Sequence, residues 1–392
     1  MKTVRRPGRA LAVVSGAIPN RLLVTVVLAA AVAVATIPAG AVASAAAAAG
    51  PVKWHPGHYV SLDGILRAEN RDTLMESHRR HINELGNEPT IKGVKIFVQW
   101  SAAEGSTPGS YDAGKTMVDQ YIRWTSAIGK RLWISFLHVQ FGGYDPNNPS
   151  AYFPAYIVTG SAYGTTRMSN GIVARLWQPA TMDRVIAQLT AYGQAYNGSP
   201  WVEAVQIDET SIAVPSGTDG YSTRSLADQY RRGYTAFRAA WPNTGLRLTA
   251  NWLGSDALMA DLIHHCESLY CIIGGPDTIP SEDIQANRIY TGETGGADYR
   301  GVLPFASEIQ SPSLGGHEGD WTPAQLWNHA MNGNSGAGIR AVQPRYGLWF
   351  RNTWQSGPEQ RWHTGILPFI RSINGAVYST ACPTAYPGCD TR

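Results

Sequence analysis

The stretch Val202-Glu203-Ala204-Val205-Gln206-Ile207-Asp208 is a short, mostly apolar run that ends at an acidic residue. Helical patterns lie on both sides of it, over residues 180–196 and 225–241. A strand between helices of this length pairs in parallel with its neighbours, because each helix carries the chain back across the sheet. The stretch therefore indicates one βα unit of an α/β protein.

The same alternation of strand and helix is repeated about eight times from residue 51 to the end of the sequence. The predicted strands cover residues 58–62, 93–100, 132–138, 202–208, 246–251, 269–273, 301–307 and 338–343. The predicted helices cover residues 71–85, 116–128, 180–196, 225–241, 256–265, 280–289 and 357–374, with one more that Thr322-Pro323 opens.

Such a repeat over residues 51–392 predicts a single-domain (β/α)8 TIM barrel, since these barrels commonly take about 250 to over 400 residues. An insertion rich in Gly, Pro, Asn and Tyr follows the third strand at residues 140–177. An open doubly wound sheet is the alternative. That fold usually has a Gly-rich phosphate turn after its first strand, and this sequence has no such turn there.

The N-terminal segment has the features of an export signal. Its last basic residue is Arg21, an apolar run covers residues 22–37, and an Ala-x-Ala pattern ends at Ala43 or Ala45. The apolar run of roughly 16 residues is shorter than the about 20 that a transmembrane helix needs. We therefore predict a signal peptide at residues 1–45 and a secreted, extracellular protein without membrane association after cleavage. An uncleaved anchor is the alternative.

Composition excludes several classes of protein. An apolar fraction of 44% and a net charge of +3 are typical of a globular chain, not of a disordered one. Five of the 32 basic residues lie in the first 50 residues, which contain no acid, so 27 basic residues face 29 acidic ones in the remainder. A near-neutral chain argues against a nucleic-acid partner. Motifs for nucleotides, zinc proteases or serine hydrolases are missing too, so we predict no cofactor and no metal.

The four cysteines fall into two close pairs, Cys266 with Cys271 and Cys382 with Cys389. An even number of cysteines in an exported chain predicts disulfides, here two local ones. Metal binding is the competing interpretation, but it lacks a CxxC spacing and a partnering His pattern.

Carboxylates follow two of the predicted strands directly. Asp208 and Glu209 come at the end of the fourth strand, and Glu308 follows the seventh. In a TIM barrel, reactive groups lie where strands end, on the loops of the carboxyl-terminal face. Two carboxylates that share a pocket can cleave a glycosidic bond, one as an acid and the other as an anion. Glu293, in a Gly-rich stretch, is the rival for the second carboxylate.

The sequence resembles the clan A superfamily of retaining glycoside hydrolases in three segments. Gln206-Ile207-Asp208-Glu209-Thr210 is similar to the clan's acid/base segment at strand four, and Phe305-Ala306-Ser307-Glu308-Ile309 to its nucleophile segment at strand seven. The stretch from Trp100 through Glu104 and Gly105 to Tyr111-Asp112 is similar to a "W…E…G.YD" pattern of many members. The resemblance implies Glu209 as acid/base and Glu308 as nucleophile. It also implies that Trp349, after strand eight, floors the sugar subsite.

One departure from the clan stands beside the acid/base. Members usually carry Asn at that position, where it binds the sugar 2-hydroxyl, and this sequence has Asp208. A carboxylate can still accept from a hydroxyl, and its charge would raise the pKa of the neighbouring Glu209.

Further candidates for substrate binding lie at the predicted strands or in the loops after them: Asp208, Asn251, Trp349, Trp100, His138, Trp252 and His58. Aromatic faces pack on sugar rings while polar side chains take the hydroxyls, so a carbohydrate is the predicted partner. Core packing of the aromatics and histidines, and a turn at Asn251, are the competing interpretations.

Three functions stay open at this point. We predict a secreted hydrolase that cleaves glycosidic bonds of an oligo- or polysaccharide with retention. A glycan-binding barrel without catalysis is the first alternative, and a metal-dependent hydrolase of another bond is the second. The sequence predicts no particular oligomeric state.

Overall fold

The structure is a computed structural model, and it describes residues 50–280, 284–310, 314–316, 319–351 and 357–392. The predicted signal peptide at residues 1–45 lies outside these residues, as does Trp354, an aromatic residue of a predicted loop. Among the described residues, no helix is both long and apolar enough to cross a membrane.

Eight parallel strands form the central sheet. They are β1 (Gly57–Leu66), β2 (Ile91–Gln99), β3 (Arg131–Leu137), β4 (Val202–Gln206), β5 (Gly245–Thr249), β6 (Ile272–Gly274), β7 (Ala306–Ile309) and β8 (Tyr346–Phe350). Their order around the sheet is β6-β5-β4-β3-β2-β1-β8-β7. A parallel bridge between Ile273 and Phe305 joins the β6 and β7 segments, so the ring closes. The predicted (β/α)8 barrel is confirmed, and the open doubly wound sheet is excluded.

Helices connect the strands and cover the outside of the barrel. The longer ones are α1 (Arg71–Glu84), α2 (Asp112–Ala127), α3 (Pro179–Tyr196), α4 (Thr223–Ala240), α5 (Asp256–Ser268), α6 (Gln285–Tyr290), α7 (Pro323–Asn332) and α8 (Leu367–Ser372). Short helical segments cover Trp100–Ala103, Pro149–Ala151, Ala155–Thr159, Thr218–Gly220, Ser335–Ala337, Pro358–Gln360 and Trp362–Ile366. The predicted start of α7 is confirmed, since the Thr322 side chain accepts from the backbone of Gln325 and Pro323 takes the first helical position.

Alternation of side chains along each strand separates two cores. One set faces the helices and belongs to the large core between barrel and helical layer; Val94, Ile96 and Val98 of β2 are examples. The other set fills the amino-terminal half of the barrel: Val52, Trp54, Tyr59, Trp133, Ala204, Ile272, Ala306, Tyr346, Leu348 and Tyr386. The barrel is therefore a packed core at its amino-terminal end.

Two predicted strands lie at the wrong residues. The sequence predicts strand seven at residues 301–307 and strand eight at 338–343, whereas β7 covers Ala306–Ile309 and β8 covers Tyr346–Phe350. Pro304 has no amide hydrogen for a ladder, and Gln343 has a positive φ of 60°, so neither predicted segment continues as a strand. The shift changes which side of the barrel each following residue faces.

The insertion at 140–177 folds onto the end of β3 as a small antiparallel sheet. Its strands are Val139–Phe141, Thr165–Met168 and Gly171–Ala174, with the last in the middle. Two further pairs are short: Val52–Lys53 with Cys389–Asp390, and Leu314–Gly316 with Gly319–Asp320. The insertion is thus ordered structure beside the barrel mouth.

Only one of the two predicted disulfides is formed in the described chain. Cys382 and Cys389 are bonded, which closes a short loop within the C-terminal segment. Cys266 and Cys271 are free thiols, so that prediction is wrong. Both are fully buried, at the end of α5 and just before β6, and burial raises the pKa of the Cys266 thiol well above its usual value. The pair packs as part of the core without a covalent bond.

Candidate active site

A cavity of about 350 Å³ opens at the carboxyl ends of the strands. It is lined by Gly64, Ile65, Lys95, Phe97, Ser135, Leu137, Val139, Phe141, Gln206, Ile207, Asp208, Glu209, Thr249, Pro276, Glu308, Gln310 and Phe350. The side chains come from β1, β2, β3, β4, β5, β7 and β8 and from the loops after them. The structure therefore brings Glu209 and Glu308 to one cavity, although almost a hundred residues separate them in sequence.

Glu308 lies within β7 and points into the barrel, at the floor of the cavity. Its Oε1 accepts a hydrogen bond from Lys95 Nζ, and its Oε2 accepts one from Arg247 Nη1 at 2.7 Å. Burial alone would raise the pKa of this carboxyl, but the two cations outweigh it and hold the pKa below its ordinary value. Glu308 is thus kept as an anion in a nearly dry position.

Lys95 and Arg247 were not among the residues that the sequence predicted. Both are fully buried on inward-facing positions of β2 and β5. Arg247 also donates to Gln206 Oε1 at 2.9 Å and to the Gly275 carbonyl at 2.6 Å, which fixes its direction. Burial lowers the pKa of Lys95, and the nearby Arg247 lowers it further against the opposing effect of Glu308. Their signal in the sequence is a single charge within an otherwise apolar strand, and it does not distinguish an inward position from an exposed one.

Glu209 lies on the loop after β4 and is only half-buried. Asn251, just past β5, donates from Nδ2 to Glu209 Oε2 at 2.6 Å. Burial raises the pKa of Glu209 to about 7, and the charges of Asp208 and Glu308 act in the same direction, against the Asn251 hydrogen bond. The two carboxylates of the cavity therefore differ in character: Glu209 is held ready to carry a proton, and Glu308 is held ionised.

Known proteins resemble this chain in structure but not in sequence. No family model and no curated protein matches it. Among solved structures, a β-mannanase from the blue mussel Mytilus edulis is 10% identical, with 84% of this chain and 99% of that chain covered and a TM-score of 0.49. A β-glucanase from Saccharophagus degradans is also 10% identical, with 81% and 88% covered and a TM-score of 0.48.

An exo-β-1,4-mannosidase from an Opitutaceae bacterium, strain TAV5, is 14% identical, with 80% of this chain covered and a TM-score of 0.44. This chain spans 59% of the length of that protein. These are similarities to other chains; the barrel itself follows from the strand pairing described above.

Asp208 lines the cavity, but its carboxylate is occupied by the end of β3. Oδ1 accepts from the backbone amides of His138 at 2.8 Å and Val139 at 3.2 Å, and Oδ2 contacts His138 Nδ1 at 2.8 Å. His138 is fully buried and contacts Gln188 Oε1 through its other ring nitrogen at 2.9 Å. The prediction that His138 binds sugar is therefore wrong. Asp208 lines the cavity as predicted, but its carboxylate binds the backbone at the start of the insertion.

Trp349 and His58 do not reach the cavity. Trp349 is fully buried, its ring packs between Trp327 and Phe369 under the helices, and its Nε1 donates to His58 Nδ1 at 2.9 Å. Alternation along β8 turns Trp349 outward and the next residue, Phe350, into the cavity. The prediction of a subsite floor at Trp349 is wrong because Trp349 lies on the outward face of β8. The prediction of a substrate contact at His58 is wrong because His58 lies at the amino-terminal end of β1 and packs against Trp327.

Trp100 and Trp252, the other aromatic residues predicted to bind substrate, do not line the cavity, so these predictions are wrong. Trp100 is fully buried at the start of a short helix, and its Nε1 donates to Glu104 Oε2 at 2.8 Å. Trp252 is 41% exposed on the loop after β5, outside the residues that line the cavity. Two other aromatic residues of the barrel strands do line the cavity, Phe97 and Phe350, and their ring centroids are 5.3 Å apart.

Glu293, the rival carboxylate, lies outside the cavity. Its Oε1 accepts from the Arg340 amide at 2.7 Å and from the Thr291 hydroxyl at 3.0 Å. Over the residues described, no three or more His, Cys, Asp or Glu side chains are grouped so as to hold a metal ion. Glu209 and Glu308 are therefore the carboxyl groups of the cavity whose pKa values are shifted in opposite directions.

Removing Lys95 tests how Glu308 is kept ionised. In Lys95→Met, one of two cations is lost, so the pKa of Glu308 rises toward the value that burial favours. A reaction that needs ionised Glu308 should then lose activity on the acid side first, and the acid limb of its kcat/KM profile should move to higher pH.

Lys130→Met is the matched control, because Lys130 is also a buried lysine but donates to the Glu88 and Ile91 carbonyls away from the cavity. Its pH profile should match that of the unmodified protein. An unchanged acid limb in Lys95→Met would contradict the conclusion that Lys95 lowers the pKa of Glu308.

Proposed function

We propose that this protein is an exported glycoside hydrolase that cleaves a glycosidic bond with retention, with Glu209 as acid/base and Glu308 as nucleophile. The observation that carries the proposal is that one cavity of a (β/α)8 barrel holds two carboxyl groups, one buried beside Asn251 with a raised pKa and the other paired with Lys95 and Arg247 with a lowered pKa. Glycosidic cleavage needs one proton donor and one anion on the two sides of the bond.

In the first step, the carboxylate of Glu308, within β7, attacks the anomeric carbon and forms a covalent ester with the sugar. The glycosidic bond breaks as Glu209 transfers its proton to the leaving oxygen. In the second step, Glu209, now ionised, accepts a proton from water, and the resulting hydroxide displaces Glu308 from the sugar. The two displacements together keep the anomeric configuration.

The neighbouring side chains support these two roles. Lys95 and Arg247 keep Glu308 ionised before attack, and Asn251 orients Glu209 through the hydrogen bond at 2.6 Å. Export is supported by the basic start, the apolar run and the Ala-x-Ala pattern of residues 1–45. A carbohydrate partner is supported by the resemblance of the three segments to clan A and by the position of both carboxylates.

The experiment is product release from a panel of plant, fungal and bacterial-wall glycans and of synthetic glycosides, with the first-formed anomer followed by NMR. We expect hydrolysis with the anomeric configuration of the substrate kept. An inverted first product would contradict the nucleophile role of Glu308, and activity that chelators abolish would favour a metal-dependent hydrolase. Glycan binding without any turnover would favour the non-catalytic barrel. The mass of protein taken from the culture medium tests export, since cleavage is expected after Ala43 or Ala45.

A further inference from the structure

The mouth of the barrel is divided into an apolar and a polar side. Partly exposed apolar side chains come from strands that are neighbours in the ring, and they are Ile65, Phe97, Leu137 and Phe350 of β1, β2, β3 and β8, with Phe141 of the insertion. The polar side is formed by β4, β5 and β7, with Glu209, Thr249 and Glu308. A substrate in this cavity therefore meets two different surfaces.

The apolar side borders the proton donor. Glu209 follows β4, and β4 pairs with β3 in the barrel. The end of β3 and the strand after it place Leu137, Val139 and Phe141 in the cavity wall there. Because an acid must lie next to the leaving oxygen, the group that leaves is directed toward this wall.

The carboxylate beside this part of the wall, Asp208, is already occupied by the protein, and β3 adds only the hydroxyl of Ser135, which is fully buried deeper in the cavity. Asp208 already accepts from the His138 and Val139 amides and contacts the His138 ring. A sugar in the leaving-group position would bring several hydroxyls against apolar side chains, and hydroxyls buried without partners are costly. An apolar group in the same position gains from burial instead.

We propose that the substrate of this site is a glycoside whose leaving group is apolar, an alkyl or aryl aglycone, and that Phe141 is a specificity-determining residue for it. The inference rests on the proposed function, and it narrows the substrate expected from the sequence, an oligo- or polysaccharide. The insertion at 140–177 then supplies part of the leaving-group site through Phe141.

The test compares methyl, butyl and octyl glycosides of one sugar with a disaccharide of that sugar. Alkyl leaving groups have similar basicity, so a difference within the series reports burial of the chain and not chemical reactivity. We expect kcat/KM to rise about three- to fourfold per methylene until the wall is covered. The disaccharide should be cleaved more slowly than the octyl glycoside.

Phe141→Ala should reduce kcat/KM for the octyl glycoside about tenfold and leave the methyl glycoside within about twofold. Tyr144→Ala is the matched control, because Tyr144 is a half-buried aromatic of the same insertion that packs on Tyr152 and does not line the cavity. The kcat/KM of Tyr144→Ala should equal that of the unmodified protein for both the methyl and the octyl glycoside.

The outcomes separate this inference from the function on which it rests. Hydrolysis that is equal along the alkyl series, or faster on the disaccharide, overturns the apolar leaving group and leaves the glycoside hydrolase standing. Equal losses on methyl and octyl glycosides in Phe141→Ala overturn the role of that residue. No hydrolysis of any glycoside overturns the proposed function and this inference with it.

Discussion

Replacing Glu308 by Gln is expected to lower kcat at least about 10³-fold, because the amide cannot form the covalent ester with the sugar. Folding should suffer as well. The amide group of Gln carries its own donors toward Lys95 or Arg247, so two buried cations lose their counter-charge, at a cost of about 3 kcal/mol. Single-turnover kinetics measure the first effect, and thermal unfolding measures the second.

Glu203→Gln separates the two effects. Glu203 is an equally buried carboxylate, but it lies at the other end of the barrel, where it accepts from the His55 amide at 2.9 Å and the Tyr346 hydroxyl at 2.8 Å. We expect this variant to lose stability and keep its kcat. A loss of turnover as large as in Glu308→Gln would mean that stability, not chemistry, explains both variants.

Replacing Glu209 by Gln is expected to lower kcat about 10²- to 10⁴-fold on glycosides with basic leaving groups, since proton transfer contributes that much. Glycosides with acidic leaving groups, such as nitrophenol, need less help from an acid and should lose less in the first step. Comparison of an alkyl and a nitrophenyl glycoside of one sugar measures the difference. An equal loss on both would argue against proton donation by Glu209.

The pH profile gives the same assignment independently. Glu209 must be protonated to act as the acid, and burial raises its pKa to about 7, so activity should fall as the pH rises through that value. Glu308 must be ionised, and its pKa is lowered, so the acid limb should lie below the usual range for a carboxyl. The unmodified protein should therefore be most active on the acid side of neutrality. The basic limb should be missing from the profile of Glu209→Gln. A basic limb that persists near pH 7 in this variant would belong to another group.

The fold could be predicted largely from hydrophobic patterning. The first five strands and the helices between them are long and regular, and their positions agree with the structure to within a few residues. The seventh strand is misplaced because the predicted segment includes Pro304, which cannot donate to a ladder. The eighth is misplaced because Tyr346-Gly347-Leu348-Trp349-Phe350 is mostly aromatic and apolar and shows no alternation of polarity. A strand buried on both sides has no polar face to reveal its register.

The candidate site could be predicted only in part, for the same physical reason. The carboxylates at the ends of β4 and β7 stand out in sequence because acidic residues directly follow apolar runs. Lys95 and Arg247 do not stand out, since an isolated charge within a strand is also typical of an exposed position. The position of Trp349 could not be predicted because a shift of the strand moves a residue from one face of the barrel to the other.

The carboxylate of Asp208 makes the insertion inseparable from the barrel. Its bonds to the His138 and Val139 amides join the residues that lead into the insertion to the end of β4. An engineer who exchanges this loop for a shorter one would leave a negative charge in the barrel wall without its donors. Conversely, a graft of the loop onto another scaffold would have to carry Asp208, His138 and Gln188 with it. Barrels vary their chemistry by exchange of such loops. In this protein, any exchange of the insertion must first take account of Asp208, the neighbour of Glu209.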